Sequence, residues 1–274
     1  MGRGRIDADL AAFGNPSQVS SSGRMAAPMS GFAVLLYGAT SYGVALATVL
    51  YTAGFVGNLM VPKSIDSGTP YPLSDAIPVN AGLLGLFALQ HSVMARPGFK
   101  AVWTRIVPKP LERSTYVLLT SGVLAVMFWQ WRPVPEPVWQ VEHGAGVLFL
   151  SALSWLGWGI VALSAAMIGH LDLFGLRQTY FRFKRREYPR DHFRTPGFYR
   201  LVRHPLMLGL IVAFWATPVM TAGHLMFAAA TTGYILLALP LEERDLMTRH
   251  GDDYRRYRER VPMLVPTRIL KDQE

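Results

Sequence analysis

The chain has 274 residues, 51% of them hydrophobic and 16% charged, with a mean hydropathy of +0.23. Soluble proteins carry about 25% charged residues, and here the apolar residues fall in long blocks, which places the chain in the membrane class. The net charge of +9 reads as basic loops facing anionic lipid rather than as nucleic-acid binding. The lack of cysteine excludes disulfides, thiolate metal sites and a cysteine nucleophile.

Residues 1–28 are polar and Gly/Ser-rich and lack the apolar core of a signal peptide, so a flexible tail is expected there. Residues 29–274 then form one membrane domain. The first apolar block, about 31–61, exceeds the ~20 residues that span a bilayer, and Pro62 is expected to end it. The second, about 77–94, has Ser74 or Asp75 to cap its start and contains the unusually polar Asn80, Gln90 and His91. The third, 114–131, ends on Trp129 and Trp131, read with Trp139 as interfacial anchors. A Pro-rich link precedes the fourth, about 144–168.

A highly charged linker follows, 170–203, before a split apolar region. Pro218 separates an arm of about a dozen residues, 206–217, from a second, 224–240. At 1.5 Å per residue the first arm reaches roughly 18 Å, short of a ~30 Å hydrocarbon core. The pair reads as a tight helical hairpin. The expected fold is therefore an all-α polytopic integral membrane protein of about five transmembrane segments. These are 28–62, 76–95, 114–131, 144–169, and a hairpin of 205–218 plus 223–248.

Cations collect in the linkers 95–113 and 171–203, while the linkers between them carry only Lys63 and Arg132. This alternation puts both termini and the basic linkers on the cytoplasmic side. No internal repeat suggests a transporter. The seven histidines show no HxxxH or HExxH pairing, so no metal site is expected.

The hairpin is flanked by Arg203-His204-Pro205 at its start and Glu242-Glu243 at its end. Folding back brings these clusters together. Arg203 and His204 suit a carboxylate, and either Glu suits an ammonium. Pro205 at the first helical position leaves orphan N–H groups toward a ligand, and Gly209 permits close approach of a helix or a ligand. Carboxylates at a helix C-terminus oppose the macrodipole, which argues for a cationic partner over plain solvation. His204 and Arg203 can also be read as a snorkelling interfacial pair. Tyr254 and Tyr257, three apart on one helical face, suit packing or ligand contact equally.

RHPxxxG, then EExxL, then GxxYxxYxxxVPxxxP resembles the intramembrane methyltransferases typified by isoprenylcysteine carboxyl methyltransferases and phospholipid N-methyltransferases. The resemblance implies S-adenosylmethionine as cofactor, held within about 170–266. Its matching positions are Arg203, His204, Pro205, Gly209, Glu242, Glu243, Tyr254 and Tyr257, with Leu201 and Val202 lending backbone groups to the adenine. The chain departs from the pattern at Met207, where an aromatic residue often stands, so a stacking role does not carry over to that cofactor-site position. QHSVMARPGFK, HLDLFGLRQ and FWATPVMTAGHLMFA resemble more closely the thiol-methylating members, which convert methanethiol to dimethyl sulfide.

Thiolate attack on a sulfonium methyl cancels charge, and a low-dielectric site favours that. The acceptor is a small thiol, reached beside membrane lipid, and its proton needs an acceptor. Asp172 is the expected base or base-orienter, with Arg177 as its electrostatic partner and His170 and His91 as further catalytic candidates. A methyltransferase for prenylated or lipid substrates, or a transporter or scaffold, are the competing functions. Oligomeric state is not legible.

Overall fold

The computed structural model describes residues 30–189 and 193–266; the expected tail at 1–28 lies outside them. Helix α1 (Gly31–Gly57) starts on Ser30, whose Oγ accepts the Ala33 N–H at 3.1 Å. It stops at Asn58, in left-handed geometry (φ 54°) with its N–H on the Gly54 carbonyl. The helix thus ends before Pro62 is reached. Helix α2 (Leu73–Ala95) begins after Pro72 with no side-chain cap, so Ser74 and Asp75 lie in its first turn and do not cap it. A short α3 (Pro97–Trp103) leads to α4 (Lys109–Gln130), which starts ahead of the expected 114 because the Pro108 and Pro110 pair opens the helix early.

Strand β1 (Pro137–Gln140) precedes α5 (Gly144–Ile168). The charged stretch read as a linker holds two short helices, α6 (His170–Leu173) and α7 (Leu176–Phe183), and a 3₁₀ turn (Gly197–Arg200). The hairpin follows as α8 (Pro205–Trp215), β2 (Val219–Thr221) and α9 (Ala222–His250), then α10 (Asp252–Arg260). β1 and β2 pair antiparallel, a small exception to an otherwise helical fold.

Helices α1, α2, α4, α5 and α9 are long and apolar enough to cross a membrane. Their outward faces carry large apolar side chains, among them Leu50, Leu148, Phe149, Trp155 and Leu237, each more than half exposed. A water-soluble chain does not leave such a belt uncovered; a bilayer solvates it. The protein is an integral membrane protein.

Hydrogen bonds tie the two ends of the bundle. At the basic end, Arg113 Nε donates to the Leu173 carbonyl (3.0 Å), Ser114 Oγ to the Gly175 carbonyl (3.2 Å), and Arg96 bridges to Asp245 (3.0 Å). At the opposite end, Asn80 exchanges two bonds with the Arg132 backbone, and Thr221 Oγ1 donates to Asp66 (2.6 Å). The core there is aromatic. Phe55, Phe128, Trp131, Phe214 and Phe227 are all buried, with ring centroids 4.9–6.3 Å apart where they pair. Trp131 is only 1% exposed, so it is a core residue and not the interfacial anchor expected from its position, whereas Trp129 beside it is 71% exposed.

α8 has 11 residues, roughly 16 Å of helix, and lies along α5. The contact centres on Gly157 and Gly209. A Cβ at either would stand 2.7 Å from the other's carbonyl oxygen, so only glycine lets the two backbones approach this closely. Gly209 therefore serves helix approach, one of the two roles its position allowed. Gly209→Val is expected to lower the thermal unfolding midpoint in detergent by roughly 5 °C, the consequence of forcing a side chain into a filled contact. Gly159→Val, where nothing lies within 4 Å, leaves the midpoint unchanged.

Candidate functional site

The site is built where the start of α8 meets the far half of α9. The chain turns through the 3₁₀ segment and enters α8 at His204, with Pro205 as the first helical residue. Its path is fixed from the C-terminal side. The Arg203 N–H donates to the Pro262 carbonyl (2.9 Å) and the His204 N–H to the Met263 carbonyl (3.1 Å). The basic triplet and the VPM segment, nearly sixty residues apart, are thereby laced together.

Glu242 and Glu243 do not stand at a helix end. α9 continues past Pro240 to His250, so the acids leave from within the helix and the macrodipole argument does not apply to them. Consecutive residues on a helix point about 100° apart, and the two carboxylates meet different surroundings. Glu243 is 2% exposed. Its Oε1 accepts from Arg203 Nε at 2.7 Å and from His204 Nε2 at 3.2 Å, and its Oε2 faces Arg258 Nε at 3.3 Å. The Glu242 side chain is 48% exposed, and its Oε2 stands 3.9 Å from His204 Nδ1.

The Arg203 guanidinium is equally engaged. Besides Glu243, its Nη1 donates to the carbonyls of Arg258 (3.0 Å) and Val261. One side chain thus joins α9, α10 and the C-terminal segment. Arg203 and Glu243 neutralise each other instead of offering a free cation and a free anion. On the sequence, either Glu is expected to take an ammonium and Arg203 a carboxylate; in this structure Glu243 and Arg203 engage each other. Glu242, His204 Nδ1 and the opening turn of α8 are what face outward.

Around this lock, Tyr254 is 2% exposed and its hydroxyl has no hydrogen-bond partner. Burial, with the Glu243 charge adding, pushes its phenol above the usual range. Tyr257 donates to the Tyr199 carbonyl at 2.5 Å. Burial and the Glu242 charge push the Tyr199 phenol up to about 12. Val202 is buried, Leu201 exposed, and Met207 half-buried. The backbone N–H groups of 201 and 202 are both bonded to the Phe198 carbonyl, which leaves carbonyls and not donors for a ligand at those residues. A cleft of about 520 Å³ opens beside Tyr257, lined by Phe193, Arg200, Asp253 and Arg256.

The four catalytic candidates separate into two groups. Asp172 and Arg177 meet as expected, Nη1 to Oδ2 at 2.6 Å, and the Tyr188 hydroxyl donates to the other Asp172 oxygen. The Asp172 contact holds the Arg177 guanidinium charged. His170, two residues from Asp172, instead pairs its Nδ1 with the Tyr42 hydroxyl at 2.8 Å. His91, on α2, meets Tyr116 of α4. Sequence reasoning missed Tyr42, Tyr116 and Tyr234; the signal available was a hydroxyl inside an otherwise apolar span. Among the described residues no cluster of three or more His, Asp or Glu could hold a metal ion.

A family model described as a protein of unknown function, DUF1295, matches residues 112–261, which span the basic triplet and the acid pair. Methanethiol S-methyltransferase 2 of Bradyrhizobium diazoefficiens is 56% identical over 85% of this chain and 90% of its own. Methanethiol S-methyltransferase of Mycobacterium tuberculosis is 53% identical over 87% of this chain and 98% of its own. That of Crocosphaera subtropica is 52% identical over 85% and 91%. No solved structure matches the chain. With identity at this level over nearly the full length of the relatives, the chain belongs to the methanethiol S-methyltransferase family.

Proposed function

We propose that the protein methylates methanethiol to dimethyl sulfide at the basic end of the bundle, with S-adenosylmethionine as the methyl donor. Its relatives' names supply the acceptor and the reaction class. The donor assignment rests on the chemistry of the site, and one observation carries it. Of two adjacent carboxylates, one is locked in a buried ion pair and the other stands open beside a histidine and a helix start. That pattern fits a ligand bearing an ammonium next to a carboxylate.

The residues present fit such a ligand. Glu242 takes the ammonium. The first-turn N–H groups of α8 and His204 Nδ1 face the carboxylate, as helix starts do for anions. The Tyr254 hydroxyl supplies a buried polar atom in want of a partner. The cleft beside Tyr257, within the usual ligand range of 300–1,000 Å³, accepts the nucleoside, with Phe193 and Tyr257 as its aromatic walls and Asp253 toward the ribose. When bound, S-adenosylmethionine supplies a methyl group on a positively charged sulfur. The protein positions that methyl near the ends of α2, α4 and α9, inside the apolar layer. Loss of charge along the reaction is favoured there.

Orientation follows from the same assignment. The basic end faces the cytoplasm of a bacterial inner membrane, with both termini on that side. The 29–274 segment acts as one domain whose cofactor half is about 170–266. Asp172 and Arg177 latch α6 to α7 at the mouth.

Purified protein given methanethiol and S-adenosylmethionine is expected to release dimethyl sulfide into the headspace. No release, with turnover on a prenylated cysteine, would transfer the assignment to a lipid-type acceptor. The two acids separate in a second measurement. Glu242→Gln weakens S-adenosylhomocysteine binding by about tenfold to a hundredfold in calorimetry, the worth of a hydrogen bond to a charged group, and leaves thermal stability intact. Glu243→Gln instead leaves Arg203 buried and unpaired and destabilises the fold by about 3 kcal/mol. Equal effects of the two changes on both readouts would contradict the division of roles.

A further inference from the structure

Resting on the thiol-methylating reading above, the geometry points to Tyr116 and His91 as the pair that takes the proton of the acceptor thiol, with Tyr116 as the group in contact with it. The Tyr116 hydroxyl stands 3.0 Å from both imidazole nitrogens of His91. Phe87 stacks on the imidazole at 5.2 Å, and Tyr234 of α9 closes edge-on to both rings. The Tyr234 hydroxyl in turn meets Ser92 at 3.0 Å. Gln90, one residue before His91, has a buried amide oxygen without a hydrogen-bond partner. Polar groups of this density within three membrane-crossing helices are costly, and such groups mark functional sites.

Two features turn the cluster toward the reaction. Arg96, five residues after His91 at the end of α2, donates to the Ser92 carbonyl and bridges at 3.0 Å to Asp245, one helical turn from Glu242 on α9, so the cluster and the open acid lie along the same α2–α9 contact. The Arg113 guanidinium stands 5.8 Å from the centre of the Tyr116 ring, held by its bond to the Leu173 carbonyl, and repels positive charge on the neighbouring imidazole, so the proton that reaches His91 does not rest there. Asp172, by contrast, has both carboxylate oxygens taken, by Arg177 and by the Tyr188 hydroxyl.

In the transfer step the thiol S–H bond breaks and its proton passes to the Tyr116 oxygen, while the Tyr116 proton passes to the free nitrogen of His91. The sulfur lone pair forms the new carbon–sulfur bond. The electron pair of the broken sulfonium–methyl bond returns to the donor sulfur, leaving two neutral thioethers. His91 then releases the proton to solvent at the basic mouth. A free thiolate is never buried in the membrane, which is the costly state this arrangement avoids.

Methaneselenol tests the assignment, because it has the shape of methanethiol but is already anionic at neutral pH. Tyr116→Phe and His91→Gln are measured with both acceptors, and S-adenosylhomocysteine affinity is read by calorimetry. The expected result is a loss of roughly 100-fold in kcat/KM with methanethiol, little loss with methaneselenol, and unchanged affinity for the cofactor product. An equal loss on both acceptors would mean that the pair only shapes the chamber and would overturn the proposal. So would full activity on methanethiol, or lost cofactor-product affinity in both variants. A wild-type protein silent on both acceptors would reject the thiol-methylating reading itself.

Discussion

A charge buried at the edge of a bilayer must be paired, and one pair organises this site. Arg203 and Glu243 carry side chains 8% and 3% exposed and meet at 2.7 Å. Breaking such a pair leaves an uncompensated ion worth about 3–5 kcal/mol. Everything nearby is arranged to keep it closed. The Arg258 and Val261 carbonyls take the remaining Nη1 hydrogens, and backbone bonds hold the VPM segment against the RHP turn. The strut fixes the relative positions of α8, α9 and α10, and Glu242 is left open because its neighbour is spoken for.

This division gives the two halves of the motif different tasks. The paired half is architecture, and the open half is the one the proposed donor site uses. Glu242 stands beside His204 at the start of α8, one helical turn on α9 from Asp245, which bridges to Arg96 at the end of α2. On the proposed assignment, a donor held by Glu242 presents its methyl group toward the hydroxyls and rings of the His91–Tyr116–Tyr234 cluster.

Much of this was legible in the sequence, for physical reasons. The apolar blocks, the turn at Pro218 and the alternation of basic linkers give four crossings and a returning hairpin, and bring Arg203 and His204 to the Glu doublet. The sequence could not show which Glu faces inward. α9 runs through Pro240 without a clear apolar stripe, and one residue of rotation exchanges the two. Trp131 looked interfacial because it ends an apolar block, yet the linker folds back and buries it with Phe55 and Phe227. The helices α6 and α7 were hidden by charge, since α7 buries only a narrow face that includes Thr179. The β1–β2 pair joins strands of four and three residues whose partners lie about 80 residues apart, beyond any local pattern. The His91–Tyr116 contact has the same origin, because long-range pairing of single polar residues leaves no periodic trace.

The central claim is that Glu243 stays locked to Arg203 while Glu242 meets the ligand. A structure with S-adenosylhomocysteine bound tests it most directly. The account predicts the ligand ammonium against Glu242 and the Arg203–Glu243 pair at its present separation. A ligand ammonium on Glu243, with Arg203 released to a carboxylate, would contradict it.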